Sequence, residues 1–163
     1  MAIIPVRYVP KMLTRRDKKR QRRELKKSRR AYKKGKYHTR KRISSFKSKT
    51  SPHIIKARKL YKVDKITASN KLAKKTRCTR KALAKIVNKG KGAYFSSGSR
   101  PNQTGHSWGR ARLASSITGG KAAAVDFNIL EEGCKSNSPA LKLAKTARRK
   151  HGYGTKRVKS VKL

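Results

Sequence analysis

Residues 93–134 read AYFSSGSRPNQTGHSWGRARLASSITGGKAAAVDFNILEEGC, and charge sets them apart from the rest of the chain. The window holds four cations (Arg100, Arg110, Arg112, Lys121) against three anions (Asp126, Glu131, Glu132), a net of +1 in a 163-residue chain of +43. Residues 1–92 carry 35 cations and three acids, and residues 135–163 add ten cations. Two like charges about 6 Å apart repel by roughly 0.7 kcal/mol even in bulk water. Dozens of such pairs compete with a net stability of only about 5–15 kcal/mol. Packing therefore prevails where repulsion is lowest, and this window is the expected folding nucleus, with Trp108, Leu113, Ile117, Phe127 and Ile129 as its core.

The pattern inside the window is helical. Trp108, Ala111, Leu113, Ala114 and Ile117 make a broad apolar face, ended by Gly119-Gly120 and started by Thr104 or Ser107 as cap. Beyond it, Val125, Phe127 and Ile129 alternate with Asp126 and Asn128, which fits a strand. A helix with Asp126 as cap and Gly133 as stop fits too, and both readings stay open. Ser138-Pro139 opens a last helix with Leu141, Ala144 and Ala147 inward. Upstream, residues 64–90 read as two short helices, the second capped by Thr79, with Ala82, Leu83, Ile86 and Val87 inward and Gly90 as its stop.

The flanks are different. Residues 1–13 are broken by Pro5 and Pro10 and read as an extended arm. Residues 15–34, RRDKKRQRRELKKSRRAYKK, are good helix formers with only Leu25, Ala31 and Tyr32 apolar, so no face to bury is expected, and the segment is read as a helix when bound and disordered when free. Residues 35–63 read as a basic connector in which Tyr37, Phe46 and Tyr61 are interleaved with cations, a pattern that suits base stacking or loop anchoring. The tail after the last helix reads as basic and irregular. The fold expected is mainly α, with α+β open: a small compact helical knob with an extended basic N-terminal arm and C-terminal tail. The divisions are 1–35 (arm), 36–134 (compact domain with a basic entry and a near-neutral core) and 135–163 (basic helix and tail).

Composition bounds the partner. Leu, Ile, Val and Phe number 29, about 18% of the chain, and a share below roughly 20% with high charge marks chains that fold only locally or on binding. The excess positive charge calls for an anionic partner: nucleic acid, an acidic protein surface or an anionic membrane face. Ordered arms on such a chain imply a large assembly that holds them. Cys78 and Cys134 give no disulfide framework and no metal spacing, and are expected as two reduced thiols. The apolar start is interrupted by Pro5, Arg7 and Pro10, and no stretch has the ~20 apolar residues of a membrane span.

Little catalytic chemistry is available. SSITGGKA fails the spacing of a nucleotide phosphate loop, with Ser115 and Ala122 at the positions where Gly and Ser or Thr are required. Adjacent His106 and Ser107 do not make a nucleophile and base. Asp126 is expected to pair with Arg110 or Arg112. The loop of Ser96, Ser97, Gly98, Ser99 and Arg100, with Arg110 and Arg112, is the candidate anion site, against a plain turn with Gly98 at positive φ. Arg15, Arg16, Lys18, Lys19, Arg20, Arg22, Arg23, Lys26, Lys27, Arg29 and Arg30 form the candidate surface for nucleic acid or an acidic partner. No catalytic residue, metal or cofactor is expected, and the chain is read as a non-enzyme.

The string from Asn88 to Leu130 resembles a small family of large and giant DNA viruses with the recurrent pattern KG-x-GA, an aromatic pair, SSGSRPNQ, SW, ARLAS, TGG and VD. These elements stand at Lys89–Ala93, Tyr94–Phe95, Ser96–Gln103, Ser107–Trp108, Ala111–Ser115, Thr118–Gly120 and Val125–Asp126. The resemblance spans roughly residues 36–134 and supplies no catalytic residues. It implies a viral origin and a place in the particle; joined to the charge of the chain, the reading is a structural protein, a minor capsid component that binds other capsid proteins, and viral DNA or the anionic inner membrane, by charge. Its place is then the virion, and the host cell interior before assembly. The alternative is a nucleic-acid-binding, DNA-condensing protein.

Overall fold

The structure is a computed structural model that describes residues 2–154 and 158–163. The fold is mainly α, with eight helices and one two-stranded sheet among the described residues. The chain forms two compact units: Met1–Lys49 with Lys91–Trp108 and Arg157–Leu163, and Thr50–Gly90 with Gly109–Lys156.

In the first unit, β1 (Ile3–Pro5) pairs antiparallel with β2 (Ser160–Lys162), Ile4 facing Val161. The extended N-terminal arm thus finds its partner in the C-terminal segment, which corrects the irregular reading of the tail over Ser160–Lys162. α1 (Arg15–Lys33) begins at Thr14, whose hydroxyl accepts from the Asp17 amide at 3.2 Å. Asp17 in the first turn and Arg30 and Lys33 in the last suit the helix dipole. The expectation that this segment has no face to bury is corrected. Asp17, Gln21, Glu24, Leu25 and Ser28 fall on one side at helical spacing and are buried. Four of the five are polar, so hydropathy alone hid the stripe. Ile4, Tyr8, Val9, Leu13, Leu25 and Ile43 form the apolar cluster of this unit.

The second unit holds α2 (Pro52–Tyr61), α3 (Asn70–Thr76), α6 (Lys121–Val125), α7 (Phe127–Gly133) and α8 (Pro139–His151), with parts of α4 (Arg80–Ser96) and α5 (Gly105–Ile117). Hydroxyl caps start four of the helices: Ser51, Ser69, Thr79 and Ser138 each accept from an amide two or three residues on. Leu72, Leu83, Ile86, Leu113, Ile117 and Leu130 fill its core. Residues 121–133 resolve as helices, with Asp126 at the cap position of α7 but its carboxylate turned elsewhere.

Three expectations are corrected here. Gly90 does not stop α4, which runs on to Ser96. A Cβ on Gly90 would lie 2.5 Å from the Gly109 Cα, and one on Gly109 would lie 2.5 Å from the Val87 carbonyl oxygen, so the pair serves a close crossing of α4 and α5. Trp108 is only half-buried and belongs to the first unit, edge-on to Tyr8 at 6.0 Å, so the near-neutral window feeds two cores. Cys78 and Cys134 are not free thiols. They sit opposite each other in an antiparallel bridge, flanked by Thr79 N–H to Gly133 O at 2.7 Å and Lys135 N–H to Arg77 O at 2.9 Å, and are joined as a disulfide.

Candidate nucleic-acid interface

The chain has six carboxylates, and three of them, Asp17, Glu24 and Asp126, are buried. Each is committed to internal donors. Asp17 accepts from the Ser45 hydroxyl at 2.5 Å and the Ser45 amide at 3.0 Å, bonds that hold its carboxyl below the usual range. Burial would raise Glu24, but the Lys41 amide at 3.0 Å and His38 Nε2 at 2.9 Å outweigh it and lower its pKa. Asp126 takes two bonds from Arg112, at 2.9 and 2.8 Å, and one from the Ser116 hydroxyl at 3.0 Å, with Lys89 Nζ at 3.5 Å. Only Asp64, Glu131 and Glu132 remain exposed to moderate the surface.

Cations go the other way. Among the described residues Arg40 is the one buried cation. Its guanidinium donates to the Ser28 hydroxyl at 2.9 Å, the Tyr94 carbonyl at 2.8 Å and the Ser99 hydroxyl at 2.7 Å, and lies 3.7 Å from the centre of the Tyr94 ring. Burial lowers its pKa. Sequence reading missed Arg40, because nothing in a field of basic residues marks the one that turns inward. The connector it belongs to is held down by α1 from one side and by Asn102 from another. At a φ of +61°, the Asn102 side chain accepts from the Ile43 amide at 2.7 Å and donates to the carbonyls of Ile43 and Phe46.

With its acids folded under, α1 presents a cationic rail. Arg15, Arg16, Lys19, Arg23, Lys26, Lys27 and Arg30 are exposed, while Lys18, Arg20, Arg22 and Arg29 are half-buried beside the stripe. The helix is about 28 Å long at 1.5 Å per residue, the length of roughly eight duplex base pairs. At its C-terminal end Lys33, Lys34 and Lys36 are exposed around Gly35, which turns the chain at a φ of +70°.

The Ser96–Arg100 loop is built as a turn. Gly98 has a φ of +132°, and a Cβ there would meet Leu25 at 2.9 Å and Tyr8 at 3.0 Å. Ser99 is buried and spends its hydroxyl on Arg40 and the Arg100 carbonyl. The Ser97 carbonyl accepts from Arg29 at 3.3 Å. Ser96 and Ser97 place their hydroxyls 3.5 Å apart, and Arg100 is exposed. Arg110 and Arg112 fall in the second unit, where Arg112 grips Asp126 and Arg110 is half-buried.

These features define a carboxylate-poor, mainly α protein with a cationic outer face. A family profile matches residues 5–132, and the chain belongs to that family, DUF5824, a family of unknown function. No curated protein and no solved structure shows a significant match to the chain.

Proposed function

We propose that this chain is a non-enzymatic structural protein of a large DNA virus particle, a minor capsid component that grips a polyanion by charge. The observation that carries the reading is the division of charge: half the carboxylates are buried, while one cation is buried among the described residues. A surface built this way has little internal compensation and draws a dense negative partner. Resemblance of the SSGSRPNQ to ARLAS region to proteins of giant DNA viruses supports the placement in a particle. Packaged nucleic acid is the partner the geometry favours over acidic neighbours or the inner membrane. The α1 rail sets cations at successive helical turns over about 28 Å, which suits a backbone of regularly spaced phosphates. A DNA-condensing role draws on the same rail.

The test is to strip virions with detergent, photocross-link and treat with nuclease. Retention by the shell together with cross-links to DNA is expected. Release along with the genome rejects the capsid placement, and retention without DNA cross-links rejects the genome as partner.

A further inference from the structure

We infer that the C-terminal end of the α1 rail carries a stacking platform for unpaired bases, so that the chain prefers single-stranded nucleic acid to a duplex of the same length. The inference rests on the polyanion reading and names which form of the polyanion fits.

Tyr37 is 73% exposed and Tyr32 39%, in a chain with few apolar residues. Neither ring dangles. Tyr37 packs against Phe95 with ring centres 5.1 Å apart and against Tyr32 at 6.3 Å. Phe95 in turn meets the fully buried Tyr94 edge-on at 4.9 Å. Tyr94 is fixed from behind, since its hydroxyl accepts from the Arg40 amide at 3.0 Å and the Arg40 guanidinium covers its face. Space for Phe95 is kept by Gly105, where a Cβ would come within 2.9 Å of the ring. The result is an exposed aromatic face tied into the interior, so little conformational freedom is lost when something stacks on it.

The surroundings say what stacks. Lys33, Lys34 and Lys36 are exposed beside Tyr32 and Tyr37, and the rail of α1 leads up to them. A planar π-face next to a line of cations matches a base joined to a phosphate backbone. An acidic protein strand or a lipid headgroup offers the charge without the ring. In a duplex the base faces are already stacked on one another, so only unpaired nucleotides use this platform.

The experiment uses the full-length chain and a fluorescently labelled 16-nucleotide oligothymidylate, with an equal-length duplex and inorganic polyphosphate as competitors. Removing one stacking ring from such a site weakens binding by roughly 5- to 150-fold. Tyr37→Ala is therefore expected to lower affinity for the strand by that factor, with polyphosphate competition unchanged and Tyr37→Trp retaining strand binding. Loss of strand and polyphosphate affinity in equal measure, or no loss in Tyr37→Ala, overturns the inference. So does a wild-type chain that binds the duplex as tightly as the strand. If wild type binds neither strand nor polyphosphate, the polyanion reading itself falls.

Discussion

Asp126→Asn isolates the cost of disturbing an inward-turned carboxylate. The native group is 1% exposed and accepts both Arg112 bonds, at 2.9 and 2.8 Å, and the Ser116 bond at 3.0 Å. Asparagine keeps the shape but loses the charge and turns an amide NH2 toward a donor. The Arg112 side chain, 21% exposed, is then left largely desolvated without its counter-ion. Breaking a buried pair from one side costs about 3–5 kcal/mol. Against a total near 5–15 kcal/mol, that is a large fraction of the stability. For a unit of this size it lowers Tm by on the order of 15–30 °C. Removing both charges is milder, because no guanidinium is left without its counter-ion: Arg112→Met with Asp126→Leu is expected to recover much of the loss, short of the bond that the buried Ser116 hydroxyl gives up. Urea and thermal unfolding followed by far-UV circular dichroism measure both variants. A single mutant that loses less than about 1 kcal/mol refutes the claim that Asp126 organises its surroundings.

Acid should unfold the first unit through Asp17 and Glu24. Their folded pKa values lie below the ordinary 3.8 and 4.5, so their contribution is fully present above that range and is lost as pH falls through the folded values. Trp108 fluorescence during acid titration follows it, and Asp17→Asn with Glu24→Gln should flatten the acid limb. Gly90→Ala puts a Cβ 2.5 Å from the Gly109 Cα and is expected to destabilise by about 1–3 kcal/mol despite alanine's better helix propensity, as read by urea midpoint; a stabilised variant would deny the close crossing. Reducing the Cys78–Cys134 disulfide, which closes a 56-residue separation, should cost about 4 kcal/mol on the chain-entropy account, measured by unfolding with and without reductant.

Much of the second unit was legible in the sequence because its signals are local. Thr79 and Ser138 stand at helix starts, Ala82, Leu83, Ile86 and Val87 fall at helical spacing, and Pro139 opens α8. Arg112, one of the two expected partners, does hold Asp126. The first unit was harder. Its key helix buries Asp17, Gln21, Glu24 and Ser28, residues that any hydropathy pattern counts as outward, and their partners lie 12 to 28 positions away, at Tyr8 in the arm for Gln21 and in the connector for the other three. Gly90 misled because a glycine at a helix crossing and one at a helix end look alike in sequence. The cysteine bridge is a long-range pairing that spacing does not reveal. The cations of α1 were visible in the sequence as a cluster, but the acids buried beneath them required the structure.

The most direct measurement is the salt dependence of binding to a labelled single strand, comparing wild type with a chain carrying Lys19→Gln, Arg23→Gln, Lys26→Gln and Arg30→Gln on the exposed side of α1. Each phosphate contact on a single strand contributes about −0.7 to the slope of log K against log salt. If the rail grips the backbone, the quadruple variant flattens that slope by about 3. An unchanged slope would mean that these cations do not touch the polyanion, and the account of the surface would be wrong.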